Sequence, residues 1–232
     1  KPLYYCINAP MFTRVRHIAF NTEAERQLCR SVFGRFLAPN SIVGCGIEMA
    51  PEAEWSGVKA KYELPDEYVL YLGRVSKAKL LPYFLRCKAK YGGDAKLVLV
   101  GGFENEIRKF DSPDILFTGY VSDEEKTAIV RHATVMVNPS PMESLSLLML
   151  EGMQSRIPLL VNGRSKVMKD HCRLSGAGLW YNNGRDFRKK LHRLLSDPEL
   201  RRTMSEKGPA YVREHYDWEI IIPKLRTLIE SI

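Results

Sequence analysis

Between Tyr68 and Tyr181, short apolar runs alternate with helix-forming stretches, and this alternation constrains the fold more than any other feature of the chain. The runs are TyrValLeuTyrLeu at 68–72, LysLeuValLeuVal at 96–100, IleLeuPheThr at 115–118, AlaThrValMetVal at 133–137, ProLeuLeuValAsn at 158–162 and GlyLeuTrpTyr at 178–181. Each is β-branched or leucine-rich and ends in a polar or glycine turn, as strands buried on both faces do. The stretches between them predict helices at about 77–90, near Asn105, at 123–132, at 144–154 and at 165–173, with further helices over 185–231. Ser122 can cap the helix at 123, and Glu125 can close a capping box, so the acidic run SerAspGluGlu is explained without a metal. β–α alternation of this kind predicts an α/β domain with a parallel sheet of about six strands covered by helices on both faces. Ligands then bind beyond the carboxyl ends of the strands.

Residues 1–60 read differently. HisIleAlaPhe at 17–20 and SerIleValGlyCysGly at 41–46 are strand-like, and between them Thr22 with Glu25 forms a second capping box ahead of a helix. One β–α–β piece is too small for its own core. Residues 48–57 read as a linker, so 1–60 is expected to be the end of a neighbouring domain and 61–232 a domain in its own right. With 232 residues and 45% apolar content, the chain can bury about 70% of its unfolded surface, enough for one good core or two small ones.

Composition also excludes some classes. No apolar run approaches the ~20 residues that cross a bilayer, and LysProLeuTyrTyrCys lacks the apolar stretch of a signal peptide, so a cytoplasmic protein is expected. Five cysteines with no close pairing suggest neither a disulfide framework nor a zinc site, but reduced and mostly buried thiols. A net charge of +8 favours anionic partners. Arg188, Lys189, Lys190 and Arg193, however, are interleaved with acids and lack an aromatic stacking array, so nucleic acid is not indicated. The charge leaves open peripheral contact with an anionic membrane surface or a phosphate-bearing substrate.

The segment NPSPMESLSLLMLEGMQSRIP at 138–158 carries the chemistry. Asn138 to Pro141 is a turn that cannot continue a strand, and Glu143 and Glu151 follow it eight positions apart. A helix N-terminus after a tight turn offers backbone N–H groups and a positive dipole end to a phosphate or sugar hydroxyl. A carboxylate only accepts hydrogen bonds, so each glutamate could hold a diol, although glutamate is also common on water-facing helices. Arg74 and Lys79 follow the first strand of the larger domain, where ligands are expected, and suit a diphosphate. The signatures G-x-G-x-x-G, G-x(4)-G-K-[ST], G-x-S-x-G, H-E-x-x-H and D-x-D are all absent, which disfavours a metal-dependent transfer site. The five histidines, His17, His132, His171, His192 and His215, are scattered and read as structural or solvent-facing.

TyrLeuGlyArgValSerLysAlaLys at 71–79, LysLeuValLeuValGlyGly at 96–102, PheThrGlyTyrValSer at 117–122 and the segment 138–153, taken in this order, resemble the retaining GT-B glycosyltransferases of family 4. The resemblance covers 68–232 as a Rossmann-like, donor-binding C-terminal domain. Residues 1 to about 50 look like the end of the acceptor-side domain. By resemblance, Arg74 and Lys79 bind the diphosphate, Glu143 touches the transferred sugar, and Glu151 grips the nucleotide ribose. Ser144, Leu145, Ser146 and Leu147 present backbone amides to sugar and phosphate, Gly73 belongs to the diphosphate loop, and Tyr120 with Val121 lines the base. The chain departs from the family twice: Leu145-Ser146 stands where Phe-Gly is usual, and Arg156 replaces the glycine before the next strand.

The function implied is transfer of a hexose-type sugar, with retention, from a UDP-, GDP- or ADP-sugar to a carbohydrate or lipid-linked acceptor, as in polysaccharide biosynthesis. It implies no metal and no protein nucleophile, and a diphosphate leaving group stabilised by cations and a helix N-terminus. A chain carrying mainly the donor-binding domain is expected to bind nucleotide without turning it over. A dinucleotide-dependent oxidoreductase would share the fold but should show a glycine fingerprint. A non-catalytic nucleotide-sugar-binding module would share both fold and motifs.

Overall fold

The computed structural model describes residues 9–34, 37–74, 81–91, 95–102 and 112–231. Lys79, the start of the helix expected from 77 and the short helix expected near Asn105 lie outside these residues. The chain's contacts divide it into two units, one of residues 1–47 with 213–232 and one of residues 48–212. This division differs from a boundary near residue 60, and it places the final residues with the N-terminal ones.

In the larger unit, β3 (Val69–Leu72), β4 (Leu97–Val100), β5 (Ile115–Gly119), β6 (Val135–Asn138), β7 (Leu159–Asn162) and β8 (Gly178–Tyr181) form one parallel sheet in the order β5-β4-β3-β6-β7-β8. All six expected strands are present within a few residues of their predicted positions. Their side chains alternate between two apolar faces. Val69, Tyr71, Leu97, Leu99, Val135, Val137 and Leu160 join Phe84 and Leu85 of α3 (Leu81–Tyr91) and Phe187, Leu191 and Leu194 of α7 (Gly184–Ser196) in one buried cluster. Met136 and Leu159 face the other way, where α5 (Leu147–Gln154) approaches so closely that a methyl group at Gly152 would sit 2.7 Å from Met136 Sδ.

Local chemistry explains most element boundaries. Ser122 accepts from the Glu125 N–H, and Glu125 accepts from the Ser122 N–H, so α4 (Asp123–Arg131) begins on the expected capping box. α6 (Lys166–Ser175) starts at Ser165 and ends on Gly176 in the left-handed region. The C-terminus of α5 is closed by Ile157 N–H to Gly152 C=O and Arg156 N–H to Met153 C=O, with Arg156 at φ 64. That bonding pattern requires a left-handed residue, a conformation that favours glycine. Arg156 is exposed, so Arg156→Gly removes strain without removing packing. Set against the extra freedom of an unfolded glycine, a net stabilisation of about 0.5–1 kcal/mol is expected, read as a higher urea midpoint at unchanged slope.

Three local features differ from the sequence reading. Residues 55–57, read as the end of a linker, instead open helix α2 (Trp55–Tyr62): the Glu54 carboxylate accepts from the Ser56 and Gly57 N–H groups, and Trp55 stacks on His132 at 3.9 Å. α5 begins at Leu147, not Ser144, because Ser146 sits at φ 66, outside helical space. Of the described cysteine side chains only Cys172 is buried, its thiol pushed up to about 12 by desolvation; Cys29 and Cys45 are half-buried. Cys6 and the Cys87 side chain are outside the described residues.

In the smaller unit, β1 (Ile18–Phe20) and β2 (Asn40–Ile42) pair in parallel around α1 (Glu23–Phe33). Thr22 caps α1 through the Glu25 N–H, but the Glu25 carboxylate takes the Asn21 N–H, so the box is offset by one residue. After α8 (Pro198–Tyr216), α9 (Trp218–Glu230) lays its Trp218 ring against Gly46, a position where any side chain would collide with the indole. No helix among the described residues is long and apolar enough to cross a membrane.

Candidate functional site

The strand order reverses between β3 and β6. From β3 the chain winds outward to β4 and β5, and from β6 it winds the other way to β7 and β8. The loops leaving the carboxyl ends of β3 and β6 therefore part, and in open parallel sheets that crevice is where ligands bind. A cleft of about 120 Å³ occupies this point, bordered by Gly73 and Arg74 after β3 and by Asn138, Glu143, Ser146 and Leu147 after β6. Ligand pockets typically span about 300–1,000 Å³, so the cleft is smaller than one that encloses a whole ligand.

Backbone geometry shapes both walls. Gly73 lies at φ 130 and Gly101 at φ 125, and a side chain on Gly101 would strike the Gly73 carbonyl. β3 and β4 are thus drawn together beneath the loop that carries Arg74. The buried Tyr71 hydroxyl donates to the Arg74 carbonyl at 2.7 Å, holding that loop, while the Arg74 guanidinium is on an exposed residue. Burial, and then the nearby charge of Glu143, raise the Tyr71 hydroxyl well above its usual range, so it stays a donor.

On the opposite wall, Asn138 ends β6 with its carboxamide inside: Oδ1 accepts from the Ser140 N–H at 3.0 Å and Nδ2 donates to Ser146 Oγ at 3.2 Å. One strand over, Asn162 Nδ2 donates to the Pro139 carbonyl at 2.9 Å. The two asparagines pin the turn that delivers Glu143. Ser146 makes no capping hydrogen bond to α5, so the first turn of that helix keeps its positive end toward the cleft. The left-handed backbone typical of glycine is retained here by serine, at a cost of about 1–2 kcal/mol that the Asn138 bond helps to offset.

Gly73, Arg74, Glu143, Ser146 and Leu147 therefore meet in one cleft, while Ser144, Leu145, Tyr120, Val121 and Glu151 do not border it. Leu145 turns its side chain into the interior, and Ser144 is exposed. Tyr120, 86% exposed at the end of β5, lays its ring over Gly102 at the end of β4 and offers an apolar shelf to solvent. Glu151, 13% exposed, pairs through Oε1 with Lys126 Nζ at 3.3 Å, whereas its Oε2 is enclosed with no hydrogen-bond partner. Burial raises its carboxyl, and Lys126 opposes that rise.

Sequence reasoning missed Tyr71, Asn138, Leu148 and Lys126. The polar Asn138 closing an apolar strand was the one available signal; Tyr71 and Leu148 look like core residues, and Lys126 like a surface lysine in a helix. Among the described residues no three His, Cys, Asp or Glu side chains gather into a set that could hold a metal.

The sequence profile of the family described as "Glycosyl transferases group 1" matches residues 57–211. The chain is 30% identical over 171 residues to alpha-D-kanosaminyltransferase of Streptomyces kanamyceticus, covering 68% of this chain and 44% of that protein. In structure it is similar to sucrose-phosphate synthase from Thermosynechococcus elongatus, with a TM-score of 0.84, 19% identity, and coverage of 100% of this chain and 62% of that one. It is also similar to HepE from Anabaena, solved in complex with UDP and glucose, with a TM-score of 0.82, 11% identity, and coverage of 100% and 68%. At these identities the structural likeness shows the fold alone. The chain spans less than half the length of the kanosaminyltransferase.

Proposed function

Because the chain belongs to the group 1 glycosyl transferases, with the α/β architecture of GT-B structures, we propose that it supplies the donor-binding half of a retaining, family 4 hexosyltransferase. One observation carries this reading: at the strand-order reversal, a single cleft collects Gly73 and Arg74, Glu143 and the uncapped N-terminus of α5. In it the diphosphate of a UDP-, GDP- or ADP-sugar meets Arg74 and the α5 amides at Ser146 and Leu147, with Lys79 as the second cation. Glu143 accepts from the sugar hydroxyls, Glu151 from the ribose, and Tyr120 with Val121 flanks the base. Gly73, Ser144 and Leu145 contribute backbone.

Chemically, the chain stabilises departure of the nucleoside diphosphate. Negative charge grows on the leaving oxygens as the glycosidic bond breaks, and the Arg74 guanidinium and the helix dipole of α5 offset it, so neither a metal nor a protein nucleophile is invoked. In this reading residues 1–47 are the end of the acceptor-side domain, and the acceptor is a carbohydrate or a lipid-linked molecule. The expected setting is cytoplasmic polysaccharide biosynthesis, with the net charge of +8 suited to an anionic membrane surface.

Calorimetry with UDP, GDP and ADP is expected to show binding of at least one; no heat from any of them at millimolar concentration would overturn the proposal. Arg74→Ala should cost that diphosphate about 1–2 kcal/mol, the guanidinium being exposed, and leave the parent nucleoside unaffected. Equal losses for diphosphate and nucleoside would remove Arg74 from the phosphate site. Product formation from a nucleotide sugar separates the transferase from a non-catalytic binding module.

A further inference from the structure

Resting on the assignment of Glu151 to the ribose, we propose that Lys126 is the positioning residue of that clamp: it fixes Oε1 of Glu151 and leaves Oε2 to accept from a ribose hydroxyl. Lys126 lies on α4, 21% exposed, with Nζ 3.3 Å from Glu151 Oε1 and 3.1 Å from Asp123 Oδ1. Glu151 Oε2 is enclosed and has nothing to accept from. A carboxylate kept only for a structural ion pair would be expected to satisfy both oxygens or leave the second in water, since an unpaired buried acceptor is costly. One oxygen held and one waiting is the arrangement of a carboxylate that completes its bonding with a ligand, once a small rotation brings Oε2 to the hydroxyl.

The surroundings give Lys126 a second task. α4 presents Lys126 and Asp123 to Glu151, and the next residue of α5, Gly152, packs against Met136 of β6 and Leu159 of β7. Lys126 is the cation paired with Glu151 among the described residues, and it counters both burial and the like charge of Asp123. Lys126 favours the ionised form, which accepts on both oxygens, whereas a neutral side chain in its place leaves the effect of burial unopposed and gives up the partner that holds Oε1. Lys126 itself need not touch the nucleotide. Sequence spacing does not reveal this role, because the pair spans two helices and 25 residues.

The test uses whichever of UDP, GDP and ADP binds best, together with its 2′-deoxy form, titrated by calorimetry into the full chain and its variants. Lys126→Met is expected to weaken the ribonucleotide about tenfold, the equivalent of one charge-assisted hydrogen bond, and to bring the ribo-to-deoxyribo ratio close to one. Lys126→Arg, which keeps the charge, should restore most of both. Circular dichroism confirms folding, and Lys126→Gln replaces the methionine variant if that fails to fold. If Glu151→Ala weakens binding while Lys126→Met keeps wild-type affinity and ratio, the positioning role is overturned and the ribose assignment stands. If neither variant changes binding, the ribose assignment fails and the proposal with it.

Discussion

Glu151→Ala is expected to weaken nucleoside diphosphate binding by about 1.5–3 kcal/mol, roughly 10- to 150-fold in Kd, the loss of a hydrogen bond to a charged acceptor. The size follows from burial. An exposed glutamate competes with water for every hydroxyl it meets, whereas Glu151 is held in a largely dry setting, and its Oε2 has no partner to give up. Truncation should scarcely lower the melting temperature, because it deletes an unsatisfied buried oxygen while Lys126 keeps Asp123. A large effect on binding with little on stability marks a ligand contact. Unchanged affinity, measured by calorimetry against the same nucleotide, would remove Glu151 from the site, and a large drop in melting temperature with unchanged affinity would make it a structural ion pair.

The largest stability effect is expected at Gly101. Its φ of 125 is a conformation that residues with a side chain rarely adopt, and a methyl group there runs into the carbonyl of Gly73. Strain of about 1–3 kcal/mol and overpacking of a similar size predict that Gly101→Ala costs roughly 2–6 kcal/mol. The obstructing atom is backbone, so no rotamer change relieves it. Gly119 provides the control: it lies at φ 74 with open space around it, so Gly119→Ala carries only the backbone penalty, about 1–2 kcal/mol. Urea midpoints of the two variants separate the terms, and equal midpoints would mean that β3 and β4 do not approach as described. The Gly73 carbonyl immediately precedes Arg74, so Gly101→Ala is also expected to weaken diphosphate binding in the protein that still folds.

Much of the fold was legible because its signals are local. A fully buried parallel strand must be apolar along its length, and β3, β4, β6 and β7 are, save for the closing asparagines of the last two. Ser122 and Glu125 satisfy helix N–H groups within four residues of one another, so their capping box could be read directly. α2 was not legible, because its strongest support, Trp55 stacked on His132, comes from a residue far along the chain. The start of α5 was misplaced for a similar reason. Leu145 fits the helical repeat and is buried, yet Ser146 leaves helical space while bonded to Asn138 at the end of the neighbouring strand. The two departures from the usual family residues, Ser146 and Arg156, proved to lie at left-handed positions: the backbone that favours glycine persists without it. At Arg156 the reason is the bonding that closes α5, which requires that conformation whatever the side chain.

By itself the sequence determined the elements, their α/β class and a set of residues suited to a diphosphate and hydroxyls, since periodicity, capping and side-chain chemistry act over a few residues. The tertiary structure alone decided that β3 lies beside β6, because strand order depends on which apolar faces pack together rather than on any local preference. That neighbour relation opens the cleft between Arg74 and Glu143. The same packing sets Lys126 against one oxygen of Glu151, since only a buried carboxylate makes the choice of partner matter.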